Sequence, residues 1–180
     1  MLFRAVARGG AIFLFLLLAL ESSCAGCGSS RASFDGTVYK SGLVAFQVPA
    51  VPGGWRKIDV TDAALAFRDD AHDASVLVNG RCAEKDGDAP LLALTNQLVM
   101  GTTERSVTVE ETIPFDAREA RHTRMNAKLD GVLQAFDIFV LKKDGCVYDF
   151  VYVGDPERAE AGVADFERFV RGFHTMAAGS

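Results

Sequence analysis

Residues 136–153 read FDIFVLKKDGCVYDFVYV, and the Asp144-Gly145 pair at their centre decides the fold class. Asp-Gly between two runs of alternating pattern is the residue pair that a two-residue hairpin turn selects, because both turn positions need positive φ. Such a turn opposes Lys143 with Cys146, Leu141 with Tyr148 and Phe139 with Phe150 on one face. It puts Val140, Ile138 and Phe136 opposite Asp149, Val151 and Val153 on the other. Both faces are largely apolar, so the hairpin belongs in the centre of a sheet with helices outside it.

Working outward, a second Asp-Gly pair, Asp130-Gly131, extends the pattern back to Ser106 and predicts a four-strand antiparallel meander over 106–153. On the C-terminal side Asp155 and Pro156 are a cap and a first helical residue. Ala159, Val163, Phe166, Val170 and Phe173 then form a stripe at three and four spacing, which predicts one closing helix. On the N-terminal side the strands expected are Leu43–Val48, possible partner of Thr37–Tyr39 across Ser41-Gly42, then Trp55–Val60, Leu65–Arg68 and Ser75–Cys82. A helix follows, capped by Asp88, with Leu91, Leu94 and Leu98 on one stripe and Gly101 as its stop. Strands, a helix, a meander and a helix predict an α+β fold, an antiparallel sheet with helices packed on its faces, in one domain over 37–176.

The first 26 residues are patterned differently. Arg4 and Arg8 precede the ten-residue apolar run Ala11–Leu20, and Glu21 ends it; this is a secretory leader, too short for the ~20 residues of a bilayer span. The following residues resemble the lipobox of bacterial lipoproteins, whose cysteine receives a diacylglyceryl group and becomes the new N-terminus. Cys27, preceded by Cys24-Ala25-Gly26, fits that pattern better than Cys24, preceded by Glu21-Ser22-Ser23; an ordinary leader cleaved near Ala25 is the alternative. The expected division is thus a signal peptide over 1–26 and a lipidated tether over 27–36. Within it Gly28–Ser33, six or seven extended residues before patterned sequence begins, reach about 25 Å, which keeps the domain close to the lipid surface. The lipobox resemblance further implies that Gly28, a residue other than Asp after the cysteine, goes with sorting to the outer membrane, which gives its periplasmic face as the expected location.

Loss of Cys24 with the leader leaves Cys82 and Cys146 as an even pair. A disulfide between them is expected in an exported chain, against the alternative of two buried free thiols. Composition excludes other classes. Removing Arg4, Arg8 and Glu21 takes the net charge from −5 to −6, which disfavours nucleic acid as a partner. His72, His122 and His174 stand at no metal-ligand spacing, and Asp69–Asp73 lacks the glycine and distal glutamate of a calcium loop, so neither metal nor cofactor is expected. No nucleophile elbow, phosphate loop or dinucleotide fingerprint is present. The candidate partner surface is Arg118, Arg121, His122, Arg124 and Lys128. A strand turns His122, Arg124, Asn126 and Lys128 to one face and Thr123, Met125, Ala127 and Leu129 inward; the plain alternative is the polar outside of a half-buried strand. Trp55, after Pro52-Gly53-Gly54, is a second contact candidate or a core anchor.

Gly54-Trp55 after an early strand, the helix after Cys82, the meander through Lys143–Phe150 and the closing Asp165–Phe169 helix together resemble the PsbP-like α/β/α sandwich, over residues 37 to 175. That family includes extrinsic photosystem subunits and many bacterial lipoproteins. The resemblance implies a non-enzymatic binding or assembly module, here membrane-anchored with an envelope protein as partner. A small-ligand-binding protein or a hydrolase with a site built from scattered residues is the other reading.

Overall fold

The computed structural model describes residues 32–82 and 89–177. The leader, both candidate lipidation cysteines and the expected cap Asp88 lie outside the described residues. Eleven strands are described: β1 (Ser33–Phe34), β2 (Val38–Ser41), β3 (Val44–Gln47), β4 (Trp55–Ile58), β5 (Leu65–Asp69), β6 (Ala74–Arg81), β7 (Thr103–Phe115), β8 (Arg118–Leu129), β9 (Val132–Lys143), β10 (Cys146–Gly154) and β11 (His174–Thr175). Helix α1 (Leu91–Leu98) precedes the meander, and α2 (Pro156–Ala159) and α3 (Val163–Arg171) follow it.

Seven strands form one antiparallel sheet in the order β4-β5-β6-β10-β9-β8-β7. The expected register holds residue for residue from Lys143↔Cys146 to Phe136↔Val153, and β10 lies at the centre of the sheet. Both Asp-Gly turns carry positive φ at both positions, at 51° and 82° for 130–131 and at 54° and 75° for 144–145. A third two-residue turn, Asp116-Ala117, does the same with no glycine, at φ 44° and 59°. Its left-handed backbone is held by the Asp116 carboxylate, which accepts from Lys143 Nζ at 2.8 Å and from the Thr175 amide at 3.0 Å, with His174 Nδ1 at 3.0 Å. Burial raises the Asp116 pKa, but these donors outweigh it and hold the carboxyl at about 2.

The sheet has two cores, as two apolar faces require. On one face α1 packs over β8 and β9, joining Leu94 and Val99 to Met125, Ala127, Phe136, Ile138, Val140 and Val147. On the other, Phe166, Phe169 and Val170 of α3 and Phe173 meet Phe67, Phe139, Phe150 and Tyr152. This second face is shared with a small sheet, β1-β2-β3-β11, built on the expected hairpin across Ser41-Gly42; its outer strands were not foreseen, β1 on one edge and β11 on the other, where His174 and Thr175 pair with Gln47 and Phe46. Ordered pairing therefore begins at Ser33, inside the stretch expected to be tether, because Phe34 finds an edge-to-face partner in Phe67.

Two helical expectations need correction. The residue before α1 is Pro90, which makes no side-chain cap, although the leucine stripe and the left-handed Gly101 are as expected. The closing helix starts as expected, the Asp155 side chain accepting from the Glu157 amide at 2.9 Å. It is not continuous: a 3-10 turn, Glu160–Gly162, separates α2 from α3. Crowding explains the interruption, since a Cβ on Gly162 would overlap the Tyr152 hydroxyl and stand 2.9 Å from both Asp69 Oδ2 and His72 Nδ1. Cys82, just after β6, and Cys146, at the start of β10, form the expected disulfide across 64 residues, for which chain entropy assigns roughly 4 kcal/mol.

Candidate functional site

Register from the Asp130-Gly131 turn sets Arg124 opposite Asp137 and His122 opposite Phe139. These positions face α3, so His122 and Arg124 sit under a helix. His122 is 6% exposed, its ring stacked on Phe139 with centroids 4.1 Å apart and planes within 5°. Its Nε2 lies 2.7 Å from Asp137 Oδ1 and its Nδ1 lies 3.1 Å from Glu111 Oε1. Arg124 donates to Asp137 Oδ2 through Nε (3.2 Å) and Nη2 (2.8 Å), and Nη2 also reaches Glu167 Oε1 on α3 at 2.8 Å. A buried carboxylate thus joins two cations, and one of them ties the sheet to the helix.

Both ring nitrogens of His122 face carboxylates, which suits the protonated imidazolium with two N–H donors. Burial pushes its pKa down, but the hydrogen bonds to Asp137 and Glu111 and the charge of Asp137 outweigh that and hold it above 6.5. The sign of the pH effect follows: a folded pKa above the unfolded one adds stability that is complete below about 6.5 and fades as pH rises through the folded value. Urea unfolding at about pH 5.5 and about pH 8.5 checks this. Wild type is expected to lose stability relative to His122→Gln on going to the higher pH, and an opposite slope would contradict the assignment.

A histidine with both nitrogens engaged offers no free base to a substrate, so the cluster is built to hold charge in place. Atoms of His122, Asp137 and Glu167 lie within 4.8 Å of one another, close enough to suggest a cation site. Arg124 Nη2 already bridges Asp137 and Glu167, and it supplies the positive charge that an ion would bring.

Beside this cluster lies a partly open groove of about 200 Å³ between the sheet and the α2–α3 segment. Ala135, Tyr152, Ala159 and Val163 give it apolar walls, Arg124 and Asp137 line it on the sheet side, and Asn126, Thr108 and Glu160 complete it. At the back of Tyr152, the Asp69 carboxylate accepts from the Tyr152 hydroxyl at 3.1 Å, and His72 Nδ1 stands 2.7 Å away. Burial raises the Tyr152 pKa and the Asp69 charge adds to it, so the hydroxyl stays protonated.

The residues expected to form one surface are dispersed. Arg118 is exposed at the Asp116-Ala117 turn, Arg121 pairs with Glu110 on the α1 side, and Lys128 pairs with Glu104 at 2.7 Å near the opposite end of β8. The solvent-facing stripe fails at His122, because the face taken as outer is covered by α3. Trp55 packs on Phe169 and Phe67 at 5.4 and 6.2 Å. The acidic members, Glu111, Asp137, Glu160 and Glu167, were not among the sequence candidates. The one signal for them was Asp137 itself, a carboxylate in an apolar central strand.

No protein-family model and no curated protein matches the chain. Solved structures do. The solution structure of cyanobacterial PsbP (CyanoP) from Synechocystis sp. PCC 6803 matches with TM-score 0.54 and 16% identity, covering 85% of this chain and 99% of that one. The Ran-binding protein Mog1p of Saccharomyces cerevisiae matches with TM-score 0.52 and 14% identity over 74% of this chain and 90% of its own. LpqN, involved in cell envelope biogenesis of Mycobacterium tuberculosis, matches with TM-score 0.51 and 10% identity over 73% and 83%. Identities this low speak for the fold alone: the chain has the α+β architecture expected of it, and that architecture is PsbP-like.

Proposed function

We propose that this chain is an exported, lipid-anchored, non-enzymatic binding or assembly module that recognises an envelope component through the groove between β8–β9 and α2–α3. The groove is the observation that carries the reading: buried ion pairs fix its polar side before any partner arrives, which lowers the cost of ordering on binding. The leader and Cys27 supply the membrane anchor, and Gly28 supports the periplasmic face of the outer membrane. The Cys82–Cys146 bridge suits an oxidising compartment. Among the described residues no helix is long and apolar enough to cross a membrane. Two fold neighbours, one Ran-binding and one involved in cell envelope biogenesis, lend support to protein binding and to the envelope.

A second reading, a small-ligand-binding protein, is favoured by the groove's lining, apolar walls with a few convergent polar groups. Photocrosslinking in intact cells tests the first. A benzophenone side chain at Thr108, exposed at the groove, is expected to give one recurrent adduct with an envelope protein, lost on Glu160→Lys. The same probe at Asp62, in the β4–β5 turn, should give none. Equal adducts from both positions, or adducts only with cytosolic proteins, would overturn it.

A further inference from the structure

We infer that the groove takes an aliphatic primary amine, laid along it with its hydrocarbon on the apolar walls and its ammonium against Glu160. This deepens the reading above and rests on the groove being the recognition site. Charge is the first argument. Asp137, Glu160 and Glu167 surround the Arg124 guanidinium, Glu167 also meets Arg171 Nη2 at 3.6 Å, and the His122 cation is matched by Glu111, which leaves Glu160 as the carboxylate in excess at the groove. An anion would meet those carboxylates, while the Arg124 N–H groups nearest them are taken by Asp137 and Glu167.

The second argument is which polar groups are left over. The Glu160 side chain lines the groove and makes no hydrogen bond or ion pair among the described residues, feeling Arg124 only at longer range. The side-chain amide of Asn126 makes no hydrogen bond among them either. A neutral hydrocarbon would cover both without replacing their water, which is unfavourable. An ammonium answers both, being a donor to the carboxylate and to the amide oxygen.

Shape is the third. The walls from Ala135, Tyr152, Ala159 and Val163 are apolar, and the volume corresponds to roughly seven water molecules at ~30 Å³ each, enough for a chain of four or five methylenes with its head group. A lysine side chain has this form, with an apolar stem and a hydrated charged end. So does a free diamine, and the two sources are separable.

The test is a titration of the purified protein, followed by NMR of the Ala135, Ala159 and Val163 methyl groups, with Nα-acetyl-lysine methylamide and with 1,5-diaminopentane. Pentanol and hexanoate are the neutral and anionic controls. At least one amine is expected to shift these methyls saturably and more tightly than either control, with about fivefold weakening on Glu160→Gln, since Glu160 is exposed. Tighter binding of the lysine derivative points to a polypeptide partner, and of the diamine to a free small molecule. Preference for hexanoate or pentanol, no saturable shift with either amine, or unchanged amine affinity in Glu160→Gln would overturn the inference. Because the crosslinking from Thr108 does not involve amines, an adduct there with no amine binding removes the ligand class and leaves the binding-module reading standing.

Discussion

Asp137→Ala is expected to destabilise the domain by about 3 kcal/mol, the lower end of what is seen when one member of a buried ion cluster is removed. Asp137 is 2% exposed and satisfies His122 on one oxygen and Arg124 on the other. Its loss leaves two donors facing an apolar surface, with Phe139 stacked under the imidazole. The lower end applies because the Arg124 side chain is 27% exposed and retains Glu167. Asp137→Asn keeps the shape and one acceptor, so it should cost less than alanine does. Urea unfolding midpoints at unchanged slope measure both. A cost below about 1 kcal/mol for alanine would mean that the cluster is not a fixed element of the fold.

Gly162→Ala is expected to be comparably severe, at about 3 kcal/mol, the overpacking range for a methyl inserted where nothing can yield cheaply. Its φ of −89° is one that alanine adopts freely, so the cost is crowding alone. The new methyl falls on the Tyr152 hydroxyl, and the atoms behind it, Asp69 Oδ2 and His72 Nδ1, are hydrogen-bonded to each other at 2.7 Å. Retreat of Tyr152 would break its bond to Asp69, which is 1% exposed and would lose a donor. A fall in Tm of roughly 10 °C follows for a domain of this size. Gly53→Ala, where a Cβ meets open space, should be nearly neutral in the same assay. Equal effects from the two substitutions would remove the explanation given for the break between α2 and α3.

Much of this architecture is legible in the residues, and the reasons are local. Asp130-Gly131 and Asp144-Gly145 each demand a two-residue turn, and a two-residue turn sets every pair along its strands, as the register from Leu129↔Val132 to Ala120↔Leu141 shows. That same register implies the Arg124–Asp137 pair; what period-two reasoning lacked was the second layer. A strand whose two faces carry His122 and Arg124 on one side and Met125 and Ala127 on the other looks half-exposed, and only the docking of α3 turns the polar side into a buried cluster. The last strand of the small sheet escaped for a related reason. His174 and Thr175 are too few to show a pattern, and they pair with β3 because Asp116, 58 residues earlier, anchors His174 from the tip of another hairpin. The interruption at Glu160–Gly162 depends on a tyrosine from β10, again a contact that no helical periodicity contains.

The groove, too, is a tertiary product. Thr108, Asn126, Ala135, Tyr152 and Glu160 come from β7, β8, β9, β10 and the turn before α3, and no two of them are neighbours in sequence. Their common feature is position on the face that α3 leaves partly uncovered near the β8–β9 turn.

The most direct test of the account as a whole is the intact mass of the chain extracted from cell membranes and alkylated without reduction. The expected species begins at Cys27, carries a diacylglyceryl group and takes no alkyl label at Cys82 or Cys146. A full-length chain that keeps its first 26 residues, unlipidated and labelled at both cysteines, would contradict it.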